Sequence, residues 1–362
     1  MCSRIKMEGR KVSGKKQKKP LGLYLLLNTL KQVFKGNKKY IKRVLEFDEN
    51  SEYVKIQHNG NTDYGKVLYV IKENTGADGF CATLYFIMCY LIFAEQHGFI
   101  PVIELTKDFA YYDEEMSVKT ENPWNYYFVE EEEFHDKNKA LNVCYCDYTH
   151  REMIEEKYNF SAYKVENYYD ESVIEICSPL ISRYMRLKPE ITEESWNLLK
   201  ELREKGSKIL GVHFRGTDYK KGYNNHPVFV DEKTTIEEIK KATDVSKFEA
   251  VFVATDDDFI CDRIREAVKG ITVLWFPDVF RSDGTESVAF SNSNRKNHHY
   301  LLGYEIARDM YTLSLCDGLV AGKSNVGFLS NLYKRSRNEK YEYMQIIDNG
   351  NNSNNNEYFK ES

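Results

Sequence analysis

Arg215 directly follows the β-rich run Lys208-Ile209-Leu210-Gly211-Val212-His213-Phe214, and Gly216, Thr217 and Asp218 come next. An arginine at the carboxyl end of a strand offers a planar fork of N–H donors that suits a diphosphate. Asp218 is suited to orient that fork or to act on a hydroxyl. His213 lies within the strand, where side chains alternate between faces, and reads either as a satisfied core histidine or as a ligand contact. Three more strand ends carry groups of the same kind. Asn74, Gly76 and Gly79 follow Lys66–Ile71 and lead into a helix beginning near Phe80. Glycines let backbone N–H groups approach a phosphate, and the helix dipole favours negative charge. Thr255, Asp256, Asp257 and Asp258 follow Ala250–Ala254. Acids there suit ribose hydroxyls, a helix cap or a Mg²⁺ ion. Ser324 and Asn325 follow Gly318–Ala321 and precede a helix starting near Val326, a placement that suits a phosphate or an N-cap. Asp317 stands just before that last run, and a carboxylate can pair with the N1–H and 2-amino group of guanine.

These groups matter only if the chain brings strand ends together. Lys66–Ile71 reads as a buried strand, Asn74–Gly79 as a turn, Cys81–His97 as a helix closed by Gly98, and Phe99–Glu104 as another strand. Strand, glycine loop, helix, strand is a βαβ unit and implies a parallel sheet. Asn122-Pro123-Trp124 marks a loop, and residues 150–200 read as mostly helical. The pattern then recurs. Strands are expected at 208–214, 250–254, 271–275, 318–321 and 343–347, and helices at 235–243, 259–268, 299–315 and 324–333. The fold class is therefore α/β, in two units joined near residues 187–205. The expected division is a basic leader with an amphipathic helix over 1–46, a first Rossmann-like unit over 47–190, a second over 191–347 and a disordered Asn-rich tail over 348–362. Ligands bind outside the carboxyl ends of the strands in open parallel sheets, so all four loops point to an anionic, hydroxylated ligand such as a nucleotide sugar.

Charge and composition narrow the classes. Residues 1–43 carry +13 and the remaining 319 carry −18, which sum to the net −5. The body lacks the basic surplus that nucleic-acid binding demands. The leader suits an anionic membrane surface, through Leu23, Leu26, Leu27, Leu30 and Phe34 at helical spacing. The longest apolar stretch, Phe80–Ala94, is shorter than a membrane span needs and contains Thr83. Eight cysteines show no CxxC pair and no zinc spacing, and read as reduced thiols of a cytoplasmic protein, placed peripherally at the inner face of the membrane if the leader binds it. Neither the dinucleotide fingerprint nor a P-loop is present, which weakens a dehydrogenase reading.

The stretch Gly211-Val212-His213-Phe214-Arg215-Gly216-Thr217-Asp218-Tyr219 resembles the His-x-Arg-x-x-Asp motif of the α1,2-, α1,6- and protein O-fucosyltransferase superfamily. Val253-Ala254-Thr255-Asp256-Asp257 resembles its second motif, and Leu313–Asn325 its third. Asn74–Leu84 is similar to the family's glycine loop, and Asn122-Pro123-Trp124-Asn125-Tyr126-Tyr127 to segments of its bacterial members. The likeness covers roughly residues 66–335. It implies a GT-B glycosyltransferase of two Rossmann-like domains facing across a cleft, with the acceptor handled by the first and GDP-fucose by the second. It implies inverting transfer of fucose to a glycan or protein hydroxyl, with no metal and no cofactor beyond the GDP-sugar donor. Arg215 would then bind the β-phosphate, and His213 and Asp317 would contact guanine. Thr255 with Asp256 or Asp257 would lie near the nucleotide, and Ser324 would contact phosphate. Two positions depart from the family. Gly216 stands where many members carry a second arginine, and no carboxylate occupies the place of the α1,6 enzymes' candidate base. Asp218 and His226 are the local candidates for the base, with Asp78 from the facing unit. Tyr and Trp residues in 105–135 and 219–231 suit stacking on an acceptor sugar. Transfer of another sugar, or a degenerate nucleotide- or glycan-binding protein, are the competing readings.

Overall fold

The computed structural model describes residues 54–72, 79–118, 120–129, 135–282, 287–288 and 291–356. The leader, Asn74, Gly76 and Asp78 lie outside the described residues. The chain from Ile56 onward packs as one compact unit that holds two sheets.

The first sheet contains strands β1 (Ile56–Gln57), β2 (Leu68–Ile71), β3 (Ile100–Ile103) and β4 (Val143–Tyr145), in the order β1-β4-β2-β3. β2 pairs parallel with β3 and β4, and β1 closes the edge antiparallel. Between β2 and β3 runs helix α1 (Phe80–His97), apolar almost all round. By length and composition it would cross a bilayer, yet it is a largely buried core helix. Gly98 ends it in the left-handed region at φ 65°, where its N–H caps the Ala94 and Glu95 carbonyls. Helices α2 (Tyr148–Lys157), α3 (Glu171–Tyr184) and α4 (Pro189–Glu204) follow, which confirms the helical reading of 150–200.

The second sheet is built from β5 (Ile209–Phe214), helix α5 (Glu232–Ser246), β6 (Ala250–Thr255), α6 (Ile260–Ala267), β7 (Thr272–Leu274), α7 (His298–Leu315), β8 (Gly318–Gly322), α8 (Asn325–Ser336) and β9 (Tyr343–Ile347). All five strands are parallel, in the order β7-β6-β5-β8-β9. β5 and β6 are buried along their whole length, as the continuous apolar runs require of a sheet covered on both faces. Leu210, Val212, Phe214, Val251, Val253 and Val320 pack against Ile239 and Ala242 of α5 and Ile264 of α6. Strand order reverses between β5 and β8, and that switch point opens the crevice where such sheets hold ligands. Helices α3 and α1 pack on α8, which joins the two sheets' layers.

Two expectations change. The aromatic loop around Trp124 is core: Trp124, Tyr126 and Tyr127 are buried, Trp124 stacks on Phe128 at 3.8 Å, and the Tyr127 hydroxyl donates to the Tyr300 carbonyl at 3.0 Å. Residues 349–356 of the Asn-rich tail find hydrogen-bond partners on the loop after β5.

Candidate functional site

A cavity of about 600 Å³ opens at the carboxyl ends of β5, β6 and β8, between the second sheet and the start of α1. Arg215 lines it, about three-quarters buried. The turn that carries Arg215 is shaped by Asp256 at the end of β6. One Asp256 oxygen accepts the Gly216 N–H at 2.8 Å, and the other accepts the Thr217 hydroxyl at 2.6 Å and pairs with an Arg215 terminal nitrogen at 2.8 Å. This ion pair sits in the cavity wall and fixes the fork at the cleft. Asp218 opens a 3-10 turn, Asp218–Lys221, directly behind it.

Gly216 has no room for a side chain. A Cβ there would lie 2.7 Å from the Asp257 Cβ and 2.8 Å from its Oδ2. The space that a second arginine would need is filled by Asp257, which pairs with Lys220 at 2.9 Å and caps the Phe259 N–H at 3.0 Å. Asp257 therefore does not line the cavity, contrary to its expected place near the nucleotide. Thr255 does line it, and its hydroxyl accepts the Asp257 N–H at 3.1 Å. The three acids after β6 diverge, to the Arg215 turn, to Lys220 and to solvent at Asp258. Among the described residues no cluster of metal-ligating side chains forms.

Ser324 caps α8 by accepting the Gly327 N–H at 3.1 Å. Its Oγ lies 3.1 Å from Nδ1 of His213 at the end of β5. Burial first, and Arg215 second, push the His213 pKa down to about 3, so the ring is neutral. The neutral ring and the Ser324 hydroxyl thus share one hydrogen bond at the cap. The buried Tyr168 hydroxyl accepts the Ser324 N–H at 2.9 Å and donates to the Ser324 carbonyl at 2.7 Å. A residue of the first half thus holds both backbone groups of the helix cap. Ser324, Asn325 and Val326 line the cavity, and so do Gly79, Phe80, Cys81 and Ala82 at the start of α1. Two helix N-termini and one guanidinium converge there, an arrangement that attracts an anion. The Phe80 N–H is spent on the Tyr111 hydroxyl at 2.9 Å.

Asp317 is not in this site. It precedes β8 and so stands at the amino edge of the sheet, about 16 Å of strand from Gly322. There one oxygen accepts from Arg203 at 2.7 Å and from the Ile209 N–H at 2.7 Å. The cavity has two acids that the sequence reading missed, Glu305 and Asp309, one turn apart on α7. Glu305 pairs with Arg295 and accepts the Phe280 N–H at 3.1 Å. Asp309 is buried, and its Oδ1 has no hydrogen-bond partner among the described residues. Burial pushes its pKa up to about 7 against the pull of Arg281 and Arg308, with Glu305 and Asp278 adding to the rise. The signal was present: acids at i and i+4 on the buried side of a largely apolar helix.

Leu302, Ile306, Phe280 and Val288 surround that end with apolar surface. Tyr85, Phe86, Tyr163, Tyr219 and His226 also line the cavity. The His226 ring lies among Tyr163, Tyr219 and Tyr223, at 5.9, 6.4 and 5.9 Å between centroids. Glu155 of α2 lines the cavity too, next to Tyr85, its pKa raised by burial and opposed by Arg151. Among the described residues the seven cysteines are free thiols.

No family model matches the chain, and no curated protein sequence matches it. Among solved structures the chain is similar to NodZ alpha-1,6-fucosyltransferase soaked with GDP-fucose, at 17% identity over 74% of this chain and 93% of that one, TM-score 0.42. It is similar to the selenomethionine form of fucosyltransferase NodZ from Bradyrhizobium, at 17% identity over 80% and 97%, TM-score 0.42. It is also similar to POFUT1 in complex with GDP-fucose, at 13% identity over 83% and 99%, TM-score 0.40.

Proposed function

We propose that this protein is an inverting glycosyltransferase that moves fucose from GDP-fucose to a hydroxyl of a glycan or protein acceptor without a bound metal. The observation that carries the reading is the convergence of Arg215, the Ser324 cap and the start of α1 on one cavity at the switch point of a parallel sheet. That is the chemistry of a nucleoside-diphosphate site. The motifs around Arg215, Thr255 and Ser324 supply the choice of donor sugar. Asp309 takes the guanine role once given to Asp317, since its ionised carboxylate accepts the N1–H and 2-amino protons together.

The acceptor oxygen attacks the anomeric carbon on the face opposite the diphosphate. The bond from that carbon to the β-phosphate oxygen breaks, and GDP leaves with the electron pair. His226, at the aromatic end of the cavity, takes the acceptor's proton, with Asp218 the other group of the same loop suited to that role. Arg215, Ser324 and the two helix starts offset the charge that grows on the leaving diphosphate, each strong donor contributing about 2.7–4 kcal/mol. The tyrosine and phenylalanine rings beside His226 suit the apolar faces of a sugar acceptor. A cytoplasmic location, with the basic leader against an anionic inner membrane face, belongs to the same reading.

The test is product formation from GDP-fucose with mixed glycan and protein acceptors, read as the mass gain of the acceptor. Arg215→Ala leaves Asp256 the Gly216 and Thr217 donors and, where folded, is expected to lose at least about a hundredfold in turnover. Undiminished transfer by that folded variant overturns the assignment. Transfer from a UDP- or ADP-sugar but not from GDP-fucose keeps the transferase and overturns the donor.

A further inference from the structure

After β9 the chain turns back along the loop that carries His226. The two stretches pair through their backbones. The Val228 N–H donates to the Gly350 carbonyl at 3.0 Å, Asn352 to His226 at 2.8 Å, Asn225 to Asn352 at 2.9 Å and Asn224 to Asn356 at 2.7 Å. Pro227 and Asn351 form an antiparallel bridge. Side-chain amides add further rungs. Asn354 donates to the Gly222 carbonyl at 2.8 Å and Asn356 to the Lys221 carbonyl at 2.8 Å. Asn352 spans two carbonyls, those of His226 at 3.2 Å and Pro227 at 3.3 Å. This accounts for the composition: an asparagine puts an NH₂ donor on a short stem, and a carbonyl-rich loop needs such donors.

The loop has little regular structure of its own. Gly222 and Asn225 both sit in the left-handed region, at φ 63° and 64°. The strap from 348 to 356 pairs with it along its length, beside the ring contacts of His226 with Tyr163, Tyr219 and Tyr223. The same strap reaches the phosphate side, where the buried Lys323, next to Ser324, pairs with Asp348 and donates to Asn351 at 2.8 Å.

We propose that the Asn-rich C-terminal strap is a positioning element of the transfer site, in which Asn352 fixes the backbone of His226 so that its ring faces the acceptor. The inference rests on the transferase reading above and extends it to a segment outside both sheets. Asn352 touches no reacting atom; it acts through His226. The His226 carbonyl accepts from both the backbone and the side chain of Asn352, so a change at this one side chain tilts the loop without cutting the strand pairing. Asn352→Asp places a carboxylate oxygen opposite two carbonyl oxygens and opens the contact by repulsion. Asn352→Ala only removes it.

The experiment compares the full chain with Asn352→Ala and Asn352→Asp. Calorimetry gives the Kd for GDP, steady-state transfer from GDP-fucose gives kcat, and hydrogen exchange reads the amides of 224, 225 and 228. The expected result is a GDP Kd within about twofold of the parent, kcat lower by about tenfold or more in Asn352→Asp, and faster exchange confined to the loop. Should Asn352→Asp not fold, Asn352→Ala carries the same comparison with a smaller change. An unchanged kcat, in a chain that transfers fucose, overturns the inference and leaves the transferase reading standing. A parallel loss of GDP binding and kcat makes the strap general support and overturns it too. A full chain that transfers nothing overturns the reading and the inference with it.

Discussion

If the cavity holds GDP as proposed, Asp309 is where pH reaches its binding. Its carboxyl is buried in the cavity wall, and its pKa is pushed up to about 7, against about 3.9 for an ordinary aspartate. Guanine presents two donors side by side, and only the ionised carboxylate answers both with acceptors. Roughly a tenth of the free protein is ionised at about pH 6 and roughly nine-tenths at about pH 8. The affinity for GDP therefore rises about tenfold across that interval, and binding releases a proton at the acid end but almost none at the alkaline end. Calorimetry in two buffers of different ionisation enthalpy reads both quantities. The terminal phosphate of GDP also titrates, near pH 6, so Asp309→Asn is the control that keeps that part. The amide turns one acceptor into a donor against guanine, and a mismatch of that kind costs about 1–3 kcal/mol. GDP binding then weakens by roughly fivefold to a hundredfold or more and loses the extra pH dependence. The same group acts on stability. Its folded pKa lies above the unfolded value, so its stabilising protonated form is fully present below about pH 4 and is lost as pH rises through about 7. An identical pH slope in Asp309→Asn and the parent refutes the placement of guanine against Asp309.

Gly216→Ala forces a Cβ to within 2.7 Å of the Asp257 side chain, so Asp257 must leave Lys220. A loss of about 1–3 kcal/mol in denaturant unfolding is expected, and an unchanged midpoint would show that the turn after β5 has slack. Tyr168→Phe strips a buried hydroxyl from the N–H and carbonyl of Ser324. It should cost about 1–3 kcal/mol of stability and also weaken GDP binding. Normal GDP affinity in that variant would mean that α8 sets the Ser324 geometry unaided.

The strand ends were legible because a parallel sheet buried on both faces writes itself as continuous apolar runs, as in Ile209–Phe214 and Ala250–Thr255. With the strands in place, Arg215 and Ser324 follow β5 and β8 and must share a crevice. The same logic, applied one step further, would have removed Asp317. A residue that precedes a parallel strand lies at the amino edge, away from the ligand, however close it stands to a motif in sequence. Asp309 was harder to find. The position of α7 shows that its acid is buried, but which cavity it lines depends on packing against Phe280 and Leu302. The tail misled for a different reason. The amides of Asn352, Asn354 and Asn356 meet carbonyls 125–135 residues away, so low complexity in the local sequence hid long-range order.

The electrostatics of the cavity follow from two neutralisations. A guanidinium three-quarters out of water and without a counter-ion is costly to hold. Asp256 removes most of that cost, and because it also grips the Gly216 N–H and the Thr217 hydroxyl, the charge it supplies doubles as the geometry of the turn. His213 is kept neutral by burial and by Arg215 itself, so its ring adds no second charge beside the guanidinium. Two helix N-termini and the Arg215 guanidinium, the latter paired with Asp256, converge on the cavity. All three are fixed before any ligand arrives, and none titrates near neutral pH. Such a site needs no reorganisation when charge grows on a leaving diphosphate, which is the condition under which fixed donors lower a barrier most. The lining acids whose pKa burial raises lie elsewhere in the cavity, at Asp309 and Glu155. On the proposed reading, pH therefore acts through Asp309 on what the site recognises, while Arg215 and the helix termini keep their charge across the neutral range.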